Sequence, residues 1–140
     1  MNKKIFTLLI TWLVCGASFA QMRFFEGKWT QALAEAKQQN KLLFVDAYAV
    51  WCGPCRWMAN NIFPDAEVSK FFNENFVNYK LDMEKGEGPK IAQNYKVTAY
   101  PTFLFIDGDG NVKHRVLGAQ SVEDFISSGK TAVQKSRSGN

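Results

Sequence analysis

The chain has 140 residues, 46% of them hydrophobic, with 17 Lys and Arg against 13 Asp and Glu for a formal charge of +4. That is one domain's worth of sequence with enough apolar side chain to bury a core without metal or disulfide staples. The charges are mixed along the chain, so no basic stripe points to nucleic acid.

Lys3 and Lys4 precede an apolar run over residues 5–14, and Ser18-Phe19-Ala20 follows it. A charged start, a short hydrophobic stretch and a small-residue end read as a secretory signal peptide cleaved after Ala20. Ten apolar residues fall well short of the about 20 that a membrane-spanning helix needs, so no integral membrane segment is expected after processing. Cys15 offers a lipoprotein alternative, but Val14 before it is not the small residue such processing wants. The expected organisation is a signal peptide at 1–20, one domain at 21–130 and a polar tail at 131–140, in a periplasmic or secreted protein. Losing Lys3 and Lys4 lowers the charge by two, to +2.

A short strand is expected at residues 23–25. Trp29, Ala32, Leu33 and Ala36 recur at helical spacing, which predicts an amphipathic helix over 28–40. Leu42-Leu43-Phe44-Val45 is a continuous apolar run, as in a strand buried on both faces. Residues 54–62 should be helix. Asp65 reads as the N-cap of a helix over 66–75, with Val68, Phe71 and Phe72 facing inward. Residues 77–81 alternate as a second strand, 84–89 form a loop and 91–95 a short helix. Residues 102–106 and 112–117 are two strand-like runs joined by Asp107-Gly108-Asp109-Gly110-Asn111, a hairpin signal. That turn invites a calcium reading, but Val112 and Gly118 stand where an EF-hand loop needs Gly and Glu. Ser121 caps a last helix carrying Val122, Phe125 and Ile126, and 130–140 should fray. The order β-α-β-α-α-β-α-β-β-α describes an α/β sandwich with parallel and antiparallel pairs in one sheet.

Cys52-Gly53-Pro54-Cys55 carries the chemistry. If a helix starts at this motif, its free N–H groups and macrodipole favour a thiolate on Cys52, the candidate nucleophile. Cys55, three residues on, lies on the same helix face at a distance that suits a disulfide, and is the candidate resolving thiol. Gly53 leaves the approach to the sulfur open, and Pro54 is tolerated in a first helical turn. A structural bridge closing so short a loop would stabilise little. A structural zinc site wants four ligands, whereas the chain holds three cysteines and one histidine, His114, so no metal is expected. His114 itself reads as a solvated strand residue. A carboxyl at Asp46, near the end of a buried strand, should be pushed upward in pKa by desolvation, which suits proton exchange with Cys55. Otherwise it is a solvated acid at a strand end. Tyr48, Trp57 and Met58 are assigned to packing.

Trp51-Cys52-Gly53-Pro54-Cys55 after an apolar strand, with Tyr100-Pro101-Thr102 opening a later one, resembles the thioredoxin family across residues 23–128. The resemblance extends to Val45-Asp46-Ala47-Tyr48-Ala49, to Lys80 and to Gly118-Ala119. Within the family the chain is similar to the secreted group that includes the C-terminal domain of the transmembrane thiol-disulfide interchange protein, on Ile62-Phe63-Pro64-Asp65 and Asn75-Phe76-Val77. Asn60 departs from the family's helix-kinking proline, and Tyr100 from the usual small or aliphatic residue. The resemblance implies a thioredoxin fold, a central mixed sheet flanked by helices on both faces. It implies proton transfer by Asp46, with Lys80 as its pairing charge, and a cis peptide at Pro101. It also implies a substrate bed of Trp51, Gly53, Pro54, Tyr100, Pro101 and Ala119. The expected activity is reduction of protein disulfides, without a cofactor, since no Gly-x-Gly-x-x-Gly follows a strand. The expected partners are disulfide-containing proteins and a membrane or soluble thiol electron donor. The rivals are a disulfide oxidase or isomerase of the same fold, and a binding or chaperone module in which redox is incidental.

Overall fold

A computed structural model describes residues 21–139, and the expected signal segment with Cys15 lies outside the described residues. The expected mixed sheet is present, with strand order β2-β1-β3-β4. β1 (Leu42–Tyr48) runs parallel to β2 (Phe76–Asp82) and antiparallel to β3 (Thr102–Ile106), which pairs antiparallel with β4 (Val112–Leu117). β1 is interior to the sheet and covered on both sides, which accounts for its unbroken apolar run. Alternation along it sends Leu43, Val45 and Ala47 to one face, against Trp29, Ala32 and Ala36 of α1 (Trp29–Gln38) and Ile91 of α4 (Gly88–Asn94). Leu42 and Phe44 go to the other, against α2 (Gly53–Asn61), α3 (Ala66–Asn75) and α5 (Val122–Arg137). That second face is a cluster of phenyl rings in which Phe72 and Phe125 stack 4.3 Å apart. The same alternation places Asp46 on the side of α2.

The helix starts form where the sequence puts caps. Asp65 Oδ1 accepts from the N–H groups of Glu67 and Val68 at 2.9 and 3.0 Å, and Ser121 Oγ from that of Asp124 at 3.1 Å. α1 has no such residue at its start. Instead Glu87, from the segment before α4, accepts the Trp29 N–H at 2.6 Å.

Four expectations change. The first strand is reduced to a single bridge between Phe24 and Asn78, with Phe25 N–H donating to Asn78 O at 2.7 Å. α4 begins at Gly88, inside the expected loop, because Pro89 falls in its first turn and gives up no helical hydrogen bond there. The expected tail at 131–140 is instead helix to Arg137: α5 carries past Lys130 and buries Gly129 and Ala132, small residues whose core-facing role polar neighbours hide. His114 is half-buried rather than fully solvated. It stacks on Phe105 with centroids 5.7 Å apart, and its Nδ1 lies 3.2 Å from Lys135 Nζ on α5, so burial and that cation hold its pKa below 6.5. In the hairpin turn one carboxylate serves the loop itself and the other ties it to α1. Asp107 accepts from the Asp109 and Asn111 N–H groups and pairs with Lys113, while Asp109 pairs with Lys37 at 2.7 Å.

A Cβ on Gly129 would lie 2.6 Å from Phe71 Cε1 and 3.3 Å from Phe72 Cζ. On an exposed helix Gly→Ala stabilises by up to about 1 kcal/mol, whereas overpacking costs about 1–3. Gly129→Ala should therefore lower stability by about 1 kcal/mol in urea unfolding, and a gain would show that α5 is not packed on Phe71 and Phe72 at Gly129.

Candidate active site

β1 ends at Tyr48, and four residues cross its top before α2 begins. Cys52 is the N-cap of α2: its backbone is extended, its N–H donates to Ala49 O at 3.1 Å, and its Sγ accepts the Cys55 N–H at 3.1 Å. Sulfur thus does what a serine or aspartate oxygen does elsewhere, and a negative charge on it would meet the positive end of the helix. Cys52 and Cys55 are joined as a disulfide with Cα atoms 5.3 Å apart. The approach to Cys52, expected to be open, is narrower than Gly53 alone suggests. The two cysteines are 3% and 6% exposed, covered by Ala49, Tyr48 and Tyr100. What differs is their surroundings: Cys52 receives the helix N–H, and Cys55 lines a cavity that leads to Asp46. A Cβ on Gly53 would meet nothing within 4 Å, so the motif's outer side is open.

Asp46 is 2% exposed, and its Oδ1 has no hydrogen-bond donor. Burial pushes its carboxyl up from 3.8 to about 7, against the opposing influence of Lys80. The cavity between it and Cys55 is about 210 Å³, and Arg56, Tyr48 and Lys80 also line it. Lys80 is the register partner of Asp46 but forms no ion pair with it: the ammonium lies 5.3 Å from the centroid of Phe24 and 5.2 Å from that of Tyr48. Arg56 is engaged elsewhere, donating to Val50 O at 3.0 Å.

The Tyr100–Pro101 peptide is cis. Pro101 O accepts the N–H of Gly118, which sits at φ +88°, and Gln120 N–H donates to Met58 Sδ of α2 at 3.3 Å. These bonds gather the Pro101 loop, Ala119 and α2 at one end of the sheet. Tyr100 packs on the cysteines, and Trp51 meets its ring edge-on at 5.8 Å.

A disulfide-capped helix start, a buried acid behind it and a cis-proline loop beside it come together on a sheet of this order, and residues 29–132 match the family described as a thioredoxin-like domain. The chain belongs to the thioredoxin family. Thioredoxin H5 of Arabidopsis thaliana is 39% identical over 95 residues, 68% of this chain and 75% of that protein. The solution structure of a candidate disulphide-isomerase from Bacteroides thetaiotaomicron is 42% identical, with a TM-score of 0.73 over 81% of this chain and 94% of that one. The reduced C-terminal domain of Neisseria meningitidis DsbD shares the fold, at 24% identity and a TM-score of 0.62 over 73% of this chain and 91% of that one. The protein is thus a thioredoxin-like oxidoreductase with its disulfide between Cys52 and Cys55.

Two residues of this thioredoxin-family site escape sequence reasoning. Glu84 Oε2 accepts the Trp51 indole N–H at 2.7 Å and so fastens a side chain that is 63% exposed. An acid in a polar loop carries no mark of that. Trp57, assigned to packing, is 46% exposed. Its place four residues after Gly53, on the same outward helix face, could have revealed it.

The raised pKa of Asp46 sets a pH dependence. The folded state favours its neutral form, so its contribution to stability is intact below about pH 4 and is lost as pH rises through about 7. The span from 3.8 to about 7 corresponds to about 4 kcal/mol when fully ionised. Asp46→Asn should stabilise the protein by up to about this much at pH 8 and by little at pH 4, as urea unfolding at the two pH values would report. Equal effects at both would mean the carboxyl is not buried as described.

Proposed function

We propose that this chain is an exported reductase of protein disulfides. The supporting observation is the Cys52 sulfur at the start of α2, bonded by the Cys55 N–H, with Cys55 facing the Asp46 cavity. In the dithiol form the helix end favours the Cys52 thiolate by about 0.3–1 kcal/mol. That thiolate attacks a substrate disulfide, forming a Cys52–substrate bond and releasing one substrate thiolate. Cys55 then gives its proton to Asp46 and attacks Cys52 Sγ. The mixed disulfide breaks, the Cys52–Cys55 bond forms, and the second substrate sulfur leaves as a thiolate that is protonated. Two electrons pass to the substrate, and a thiol donor outside the chain restores the pair.

Trp51, Tyr100, Pro101 and Ala119 form the bed for an extended segment around the substrate disulfide, with Gly53 and Pro54 as its open side. Lys80 acts on Asp46 as a nearby charge rather than as a bonded partner. Export rests on the charged start, apolar run and Ala20 of the first twenty residues. Isomerisation is a second reading, favoured by the 42% identity to the Bacteroides thetaiotaomicron protein described as a candidate disulphide-isomerase. It needs the same attack by Cys52 but lets a substrate thiol, not Cys55, resolve the intermediate.

The two cysteines separate these readings. Cys52→Ser should abolish reduction of a protein disulfide. Cys55→Ser should keep the attack, accumulate mixed disulfides that a reducing gel dissolves, and lose net reduction. Recovery of a scrambled disulfide protein by Cys55→Ser at the wild-type rate would instead favour isomerisation.

A further inference from the structure

Lys80 stands in an unexpected place. It is the register partner of Asp46 across the β1–β2 pair, and Asp46 Oδ1 is a buried acceptor with no donor. Coulomb attraction would bring the two together, yet the ion pairs among the described residues are Lys37–Asp109, Lys85–Asp82 and Lys113–Asp107. The Lys80 ammonium is instead over two rings, 5.3 Å from Phe24 and 5.2 Å from Tyr48. The ring faces attract the ammonium while it keeps contact with solvent, and moving in beside the buried carboxyl would cost it part of its hydration.

The two rings arrive by separate routes. Tyr48 is two residues beyond Asp46 on β1 and shares its face. Phe24 comes from the segment before α1, which is tied to β2 by its bridge to Asn78, by the Phe25 N–H to Asn78 O bond at 2.7 Å and by Asn78 Nδ2 donating to Arg23 O at 3.1 Å. Asn78 is two residues before Lys80, so this tether sets Phe24 beside the lysine. The ring is steadied in turn by Phe63, 5.7 Å away.

We propose that Phe24 and Tyr48 are positioning residues that clasp the Lys80 ammonium at the cavity mouth, short of Asp46, so that the carboxyl stays free of a bonded cation and can exchange a proton with Cys55. Asp82, two residues beyond Lys80 on β2, faces Lys85 at 3.8 Å, and the other charged or titratable groups around Asp46 are engaged as well. β1 contributes Tyr48 itself, α2 contributes Cys55 in its disulfide and Arg56 bonded to Val50 O, and β3 presents the apolar Phe103 in register. Freed of the rings, the ammonium can move toward the donorless Oδ1 of its register partner. The upward shift of Asp46, with Lys80 as the opposing influence, agrees with a cation kept at a distance. The use of Asp46 as acceptor of the Cys55 proton rests on the reductase reading above; the clasp itself does not.

The test is a carbon-13 NMR titration of the Asp46 carboxyl in the oxidised protein, where neither cysteine titrates. Phe24→Leu keeps the apolar bulk and removes the ring face. It should lower the Asp46 midpoint by about one pH unit, whereas Phe24→Tyr should leave it at the wild-type value. Lys80→Met should raise the midpoint, and adding Phe24→Leu to Lys80→Met should change nothing further. A Phe24→Leu midpoint that is unchanged or raised, or a downward shift that persists without Lys80, overturns the clasp. Asp46→Asn turnover is judged separately: an unimpaired resolving step would remove the proton role of Asp46 without touching the titration result.

Discussion

Everything at the active end of this molecule depends on one bond, the Cys55 N–H to the Cys52 sulfur at 3.1 Å. It makes a reactive atom the N-cap of a helix, and a cap has to be placed by the chain on both sides of it. On the near side, β1 is buried on both faces and fixes the height at which the chain leaves the sheet. On the far side, α2 is held by buried Met58, whose sulfur also accepts the Gln120 N–H from the loop after β4. That loop is tied through Gly118 to Pro101. The strand end, the helix start and the cis-proline loop are therefore one assembly around two sulfurs.

The second constraint is electrostatic and opposes stability. Alternation along β1 that buries Phe44 also buries Asp46, a carboxyl whose Oδ1 meets no donor and whose register-partner cation is held at the rings of Phe24 and Tyr48. An apolar residue there would pack at lower cost. Buried groups of this kind occur often where chemistry uses them, and a carboxyl pushed up to about 7 suits the proton exchange with Cys55 proposed above.

Local patterns are legible where a single residue type does a local job. The caps at Asp65 and Ser121, the hairpin turn and the two strands around it all follow from rules that span a few residues. The cysteine motif belongs with them, because spacing and helix-end physics are also local. Asp46 is half-legible from its place near the end of a buried strand, whereas Lys80 and the cis peptide at Pro101 become visible through family resemblance, and the structure places all three near the disulfide. What stays hidden depends on partners far away in sequence. Glu87 caps α1 from across 58 residues, Glu84 holds Trp51 from across 33, and α5 covers His114 through Lys135. The end of α5 is hidden for a related reason: Gly129 and Ala132 face the phenyl cluster as small residues, and smallness leaves no hydrophobic period to read. The standoff of Lys80 needs the Phe24 ring, which a one-residue bridge delivers.

The function turns on direction: a neutral Gly53-Pro54 between the sulfurs adds no positive charge, and one helix end stabilises the thiolate only modestly, so the dithiol should be a reductant. Equilibrating the purified protein against glutathione measures this. A reduction potential near about −270 mV, as for thioredoxin, is the expected result, whereas a value near about −120 mV, as for the strong oxidant DsbA, would contradict the reductase account.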